Sequence, residues 1–428
     1  MKVVLVNPPL NNYSHILNEP LGLLYLAAAA RDKHEIMIID AYGFSMMPQE
    51  TADLLVSLEP DAVGVGILFS NAYNTGTEIL ERFRRILPDA VTFVGGNTAS
   101  FQKDSLCRMP AVDYVMLGEC DLSFPIFLDA LEQGGSMEKV PGLAFCTLDG
   151  QLIETPRVPE ADLDALRFPA RDLLPLNENY LRSFLSSRGC SYGCIYCSAS
   201  AYWGRRVRYR SKENLLAEIE SQRESIENRF FSIIDDCFTI NSERALSIAR
   251  GIKNLGMEAA WGCNGRLEQM TPEFIKKLYD CGCHSLFFGV ESGCTSTLQR
   301  LGRRYTPETV LDVYHCCCDL GIDSSFSFIV GLPGEGPDEL AQTFKLIDRL
   351  KGTDIGIHIL TPLPGTAIAL HPEEFGITLL DAKPETLDLT KVHLHTDTLN
   401  EEEIRDAYRK GVGRILRAVK RPREVGCR

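Results

Sequence analysis

The stretch "SSRGCSYGCIYCSASAYWG", Ser186–Gly204, gathers Cys190, Cys194 and Cys197 at C-x3-C-x2-C spacing, with no fourth cysteine nearby. A structural zinc site pairs two C-x2-C halves or adds histidines, and four protein ligands close it. Here Cys194-Ile-Tyr-Cys197 has no second half. Cys281-Gly-Cys283 precedes a strand-like run, and Cys316, Cys317 and Cys318 lie in a helix-like stretch where successive residues point to different faces. Core filling is the reading for both clusters, while Cys263, at the end of a strand-like run, stays open. Three thiolates on one loop instead suit an iron–sulfur cubane whose fourth iron is left free of protein. A free iron can hold a small molecule, as a three-ligand catalytic zinc does.

Working outward from this loop, apolar runs recur at 183–190, 229–236, 258–265, 284–291, 323–331 and 354–362, separated by helix-like stretches such as "SKENLLAEIESQRESI" and "PDELAQTFKLIDRLK". Six βα units of this spacing predict a partial barrel, with its site at the C-terminal strand ends. The cysteine loop follows the first of these strands, on that rim.

Upstream, "KVVLVNPP" (2–9), "HEIMIIDAY" (34–42), "DAVGVGILFS" (61–70), "VTFVGGN" (91–97) and "DYVMLGEC" (113–120) alternate with helix-like segments. Near-continuous apolar runs suit strands buried on both faces of a parallel sheet. The fold class is therefore α/β, with a doubly wound Rossmann-like first domain. No G-x-G-x-x-G follows the first strand, where Asn7, Pro8 and Pro9 stand instead, so a dinucleotide is not expected. Ser70, Gly95, Gly96, Asn97, Gly118 and Glu119 fall at the strand ends, where backbone could approach a large flat ligand. The expected division is 1–145 for this domain, 146–182 for an acidic, proline-containing linker, 183–370 for the barrel, and 371–428 for a mainly helical extension.

The chain has 428 residues, 45% hydrophobic and 24% charged, with 15 cysteines. No apolar run approaches the ~20 residues that cross a bilayer, and "MKVVLVNPPL" reads as a strand rather than a leader. Cysteines without a secretory signal point to a reducing, cytoplasmic setting. Net charge is 44 − 58 = −14, which argues against a nucleic-acid partner, and with no long apolar run no membrane partner is expected. The one dense basic stretch, "GRRVRYRSK" (204–212), reads as a solvated or anion-facing loop.

The C-x3-C-x-aromatic-C loop after the first strand of a six-unit partial barrel resembles the radical S-adenosylmethionine (SAM) enzymes. "IIDDCFTIN" (233–241), "GVESG" (289–293), "FIVGLPGE" (328–335) and "PLPGT" (362–366) fall where that family carries its recurring segments. The resemblance implies a 4Fe–4S cluster on Cys190, Cys194 and Cys197 that chelates SAM and cleaves it to a 5′-deoxyadenosyl radical. It also implies Tyr196 beside the adenine, Asp235 and Asp236 on the amino group or ribose, and Glu291 and Ser292 on ribose or methionine. Arg266 would pair with the methionine carboxylate, which suits a planar fork.

The first domain resembles the cobalamin-binding domain that precedes the barrel in one branch of this family, through "NEPLGLLYLAA", "VGVGILFSN", "VGGNTAS" and "DYVMLGECD". That implies cobalamin held near Pro9, Leu21, Gly22, Ser70, Gly95, Gly96, Asn97, Gly118 and Glu119. The D-x-H-x-x-G segment of methionine-synthase-type domains is absent. His15 lacks that setting and His34 starts a strand, so cobalamin would sit without a histidine below cobalt. The branch predicts a methyltransferase that moves a methyl group from methylcobalamin to an unactivated carbon of a small-molecule substrate, between the two domains. An electron donor such as flavodoxin or ferredoxin would serve as partner. Ring formation or contraction, as in a tetrapyrrole cyclase, is the alternative. A tRNA methylthiotransferase would need clustered cysteines in the first domain, where Cys107, Cys120 and Cys146 are scattered. A non-catalytic cobalamin carrier would not need the cysteine loop.

Overall fold

The computed structural model describes residues 1–10, 17–175, 177 and 179–419. It divides into two compact units, Met1–Leu181 with Lys383–Thr386, and Arg182–Ala382 with Leu387–Arg428.

In the first unit, β1 (Lys2–Asn7), β2 (Glu35–Asp40), β3 (Ala62–Gly66), β4 (Val91–Gly95), β5 (Tyr114–Met116), β6 (Leu143–Cys146) and β7 (Leu152–Glu154) form one sheet in the order β2-β1-β3-β4-β5-β6-β7. The first five are parallel, as the apolar runs predicted. Between them run α1 (Leu21–Ala30), α2 (Pro48–Leu58), α3 (Tyr73–Ile86) and α4 (Asn97–Phe101), with α5 (Ser123–Gln133) after β5. Val3, Val4, Leu5 and Val6 are all buried, because helices cover both faces of the sheet. The chain steps from β1 to one side and then returns to β3 on the other, so the crevice for a ligand opens between these two strand ends.

The segment expected as a linker is folded within this unit. β6 and β7 extend the sheet as an antiparallel hairpin closed by Gly150 N donating to Thr147 O at 2.9 Å. Farther along, Leu163, Ala170 and Leu174 are buried, and Arg171 Nε donates to Glu19 Oε2 at 3.0 Å in a buried ion pair. "LAFC" and "LIE" are too short to display a strand period.

The second unit holds β8 (Tyr180–Phe184), β9 (Phe230–Ile233), β10 (Ala260–Gly265), β11 (Cys283–Glu291), β12 (Asp323–Val330) and β13 (Asp354–Ile359). They are parallel and lie side by side in sequence order, the six strands that the repeat predicted, and the two-residue strand Leu17–Asn18 pairs parallel with Tyr180–Leu181 at the β8 edge. Its helices include α6 (Ser198–Trp203), α7 (Lys212–Ser221), α8 (Ser242–Asn254), α9 (Pro272–Tyr279), α10 (Pro307–Leu320), α11 (Pro337–Ile347) and α12 (Glu401–Val419). Leu286, Phe288, Val290, Phe326, Phe328, Ile355 and Ile357 pack one face of the sheet into the core. Cys317 and Cys318 are buried there, as expected of filler, while Cys316 is half-buried. β8 ends at Phe184, so the apolar run 183–190 is not one strand: Ser187–Arg188 turns aside to pair antiparallel with Arg208–Tyr209. In the tail, Ile377–Leu379 pairs with Leu394–Thr396. Asn400 caps α12: its Oδ1 accepts from Glu403 N at 3.0 Å while Glu403 Oε2 accepts from Asn400 N at 2.8 Å. Among the described residues no helix is long and apolar enough to cross a membrane.

Candidate functional site

Gly189, at φ +100°, turns the chain out of the sheet and starts the cysteine loop. Cys190, Cys194 and Cys197 are half-buried, and Cys197 N donates to Cys194 O at 3.1 Å, a tight turn that brings these two residues round. Burial pushes the Cys190 thiol up and the Cys197 thiol to about 11, so a metal must displace protons to bind here. Among the described residues, the one His/Cys/Asp/Glu trio whose ligand atoms lie within 4.8 Å of each other is His34, Asp129 and Glu132, in the first unit. The three thiols are thus spread beyond the ligand shell of one ion, which fits a cluster of several irons better than a lone zinc.

Arg266, just past β10, lies over the Tyr192 ring at 3.4 Å from its centroid and points Nη1 at Cys194 Sγ, 3.9 Å away. Its fork is already engaged by Glu268, Nε to Oε2 at 2.9 Å and Nη2 to Oε1 at 3.0 Å. Its place is therefore beside the thiols, and the free carboxylate fork expected from the sequence is taken by Glu268.

Glu291, at the end of β11, is buried with φ +65°, in the left-handed region that non-glycine residues avoid. The pairing with β12 shifts register between Gly289 and Glu291, and this bulge turns the carboxylate. Arg303 Nη2 donates to the Tyr196 hydroxyl at 2.6 Å and also to Glu291 Oε1. Burial raises the Glu291 pKa against the pull of Arg303. Arg303 Nε is buried with no hydrogen-bond partner among the described residues, a donor that suits an absent anionic or carbonyl group. The sequence reading did not single out Arg303. "LGRRY" offers two adjacent arginines with no pattern to choose between them.

The neighbours Asp235 and Asp236 separate in role. Asp235 is fully buried, and its oxygens accept from Ser186 N (2.6 Å), Ser186 Oγ (2.5 Å) and Ser187 Oγ (2.6 Å). These contacts tie the start of the cysteine loop to the segment that follows β9. Asp236 reaches solvent, yet loss of water around it and the charge of Asp235 raise its carboxyl to about 6, as on the floor of a cleft. Ser292 is also spent on the fold: its hydroxyl meets Thr343 Oγ1 at 3.1 Å and accepts from Cys294 N at 3.1 Å.

In the first unit, the expected residues fall around the β1–β3 crevice and the ends of β4 and β5. Pro9 follows β1, its carbonyl accepting from Thr75 Oγ1, and Leu21 and Gly22 open α1. A side chain on Gly22 would meet open space. After β3, Leu68 (53% exposed) and Phe69 (58%) stand in solvent, while Ser70 Oγ and Asn71 Oδ1 are buried without hydrogen-bond partners among the described residues. Gly96, at φ +105°, leaves no room for a Cβ, which would lie 2.8 Å from Ile67 O. Ser100, which the sequence reading missed, accepts from Gly118 N at 2.9 Å and donates to Gly96 O at 2.8 Å, tying these two glycines. Asn97 lies at the N-terminus of α4, and Glu119 follows Gly118. Apolar side chains in water, glycine backbone and orphaned polar atoms together fit a broad, flat, partly polar ligand. His34 is not at this edge: it precedes β2, with Nε2 3.3 Å from Asp129 Oδ1. His15 lies outside the described residues.

The family model of the B12 binding domain matches residues 15–128, and that of the radical SAM superfamily matches residues 184–347. The chain is 29% identical over 378 residues to an uncharacterized methyltransferase of Pyrococcus horikoshii, covering 86% of this chain and 82% of that one. It is 28% identical over 403 residues to the hopanoid C-3 methylase of Methylococcus capsulatus, covering 89% and 74%. Among solved structures, the fold matches TsrM, a radical SAM methyltransferase from Kitasatospora setae with cobalamin and a 4Fe–4S cluster bound. The TM-score is 0.75 at 18% identity, over 98% of this chain and 89% of that one.

Proposed function

We propose that this chain, which matches the family models of the B12 binding domain and of the radical SAM superfamily, is a cobalamin-dependent radical SAM methyltransferase acting on an unactivated carbon of a small-molecule substrate. The observation that carries the reading is the presence in one chain of two edges with polar atoms unpartnered among the described residues: the Cys190–Cys194–Cys197 loop with Arg303 Nε, tied to it through Tyr196, and the β3 end with Ser70 Oγ and Asn71 Oδ1. When bound, the cluster with SAM supplies hydrogen abstraction, and cobalamin supplies methyl transfer.

Cys190, Cys194 and Cys197 hold the cluster, and Arg266 points its Nη1 at Cys194 Sγ. Arg303 and Glu291 bind the polar groups of SAM, Tyr196 lies against its adenine, and Asp236 accepts from its ammonium or ribose hydroxyls. Asp235 and Ser292 act by positioning, through Ser186 and Thr343. Pro9, Leu21, Gly22, Ser70, Gly95, Gly96, Asn97, Gly118 and Glu119 receive cobalamin, with Ser70 and Asn71 offering hydrogen bonds. The fourteen described cysteines are all free thiols, the state expected of a reducing compartment; a cytoplasmic setting and an electron donor such as flavodoxin or ferredoxin belong to the same reading.

The test is anaerobic purification with iron, sulfide and hydroxocobalamin supplied, followed by counting each per chain. About one cluster and one cobalamin per chain is the expected result. A cluster without cobalamin would leave a simpler radical enzyme and remove the methyltransferase reading.

A further inference from the structure

α6 (Ser198–Trp203) ends at Gly204, with φ +77°, and the next residue, Arg205, is also left-handed at φ +54°. Glycine adopts that backbone freely, whereas arginine does so against the steric demand of its Cβ. Two left-handed residues in succession turn the chain back across the cysteine loop. The guanidinium of Arg205 lies over Gly193, midway between Cys190 and Cys197 in sequence: a Cβ at Gly193 would be 2.5 Å from Arg205 Cζ and 2.6 Å from Nη2. The Arg206 carbonyl fills the space that a side chain on Gly189 would need. Both arginines are exposed, and among the described residues neither forms an ion pair. Arg210, in contrast, is buried against Glu218, and Lys212 Nζ lies 3.4 Å from Glu213 Oε1. A strained backbone that delivers an unpartnered cation onto a thiol loop calls for an anion outside the protein.

We propose that Arg205 and Arg206 form the docking surface for an acidic one-electron carrier protein of the flavodoxin class. This rests on the reading above that Cys190, Cys194 and Cys197 hold a redox cluster. With a net charge of −14, the protein at large repels an acidic partner. A local positive patch is then what selects the orientation of approach. The same overall charge disfavours a nucleic acid, which spreads its phosphates over a longer track than two arginines can neutralise. The reduced carrier gives one electron to the cluster and leaves oxidised; no bond forms or breaks at the patch, and no proton is transferred there.

The test compares wild type, Arg205→Gln/Arg206→Gln and Arg205→Glu/Arg206→Glu in the full, iron-reconstituted chain. Calorimetry reads the affinity of a purified bacterial flavodoxin at low and at physiological ionic strength. Visible absorbance reads cluster bleaching by reduced flavodoxin and, separately, by dithionite, which needs no docking surface. Charge reversal should weaken flavodoxin binding about tenfold or more at low salt and flatten its salt dependence, with the glutamine pair intermediate. Dithionite bleaching should be the same in all three proteins. Equal flavodoxin affinity across the series overturns the proposal, as does single-stranded RNA bound through the same arginines while flavodoxin is ignored. If dithionite bleaches none of the proteins, the cluster assignment fails instead, and the calorimetric series still decides the docking surface.

Discussion

Arg303 Nη2 donates to the Tyr196 hydroxyl at 2.6 Å, tying the aromatic residue between the second and third cysteines to a cation twelve residues beyond Glu291. The pair spans two elements distant in sequence. It leaves Arg303 Nε buried without a hydrogen-bond partner among the described residues.

Arg303→Ala should therefore weaken SAM binding about tenfold or more, the cost of removing a charge-assisted hydrogen bond in a buried site. Iron content should not change. Arg303→Lys keeps the charge and loses the fork, and should fall between the two. Equilibrium binding on reconstituted protein decides this, and loss of iron in Arg303→Ala would make the residue a support of the loop instead.

Cys194→Ala should abolish cluster assembly, read as iron and sulfide per chain, while cobalamin binding by the first unit persists. A cluster that assembles in this variant would remove Cys194 from the ligand set.

Adjacent glycines at the end of β4 should differ sharply. A Cβ at Gly95 meets Met116 Cβ at an ordinary 3.6 Å, so Gly95→Ala should leave the apo fold intact. At Gly96, φ +105° and the 2.8 Å approach to Ile67 O act together. Backbone strain alone costs Gly96→Ala about 1–3 kcal/mol, and denaturant unfolding of the first unit would show it.

Glu335, after β12, is fully buried: Oε2 accepts from Gly331 N at 2.8 Å and Leu332 N at 3.3 Å, and Oε1 has no hydrogen-bond partner among the described residues. Burial raises its carboxyl from 4.5 to about 8, so the folded state holds a proton that the unfolded chain releases. The stability it contributes is complete below pH 4.5 and is lost as pH rises towards 8. Glu335→Gln mimics the protonated form and should melt above wild type at pH 8–9, by roughly 2–4 °C, with the gap closing near pH 5. A pH-independent difference would show that the carboxyl does not titrate in this window.

Much of this was readable before any coordinates. Cysteine spacing placed the thiol loop, and the apolar runs placed ten of the parallel strands in two sheets with ends at the expected glycines. What stayed hidden depended on contacts between distant residues. Asp235 and Asp236 are chemically identical neighbours, and only the serines that face Asp235 tell the anchor from the exposed carboxylate. Arg303 is marked by its hydroxyl and carboxylate partners, and no spacing rule separates it from Arg304. The β6–β7 hairpin lies in segments shorter than a periodic signal needs.

Leu68 and Phe69 stand in water beside two polar atoms that lack partners among the described residues. A chain made without a ligand for that edge carries an adhesive strip of its own. The supply of cobalamin during expression then governs yield as much as occupancy does: cells starved of the corrin would accumulate the protein as aggregate, and feeding them would recover it in the supernatant.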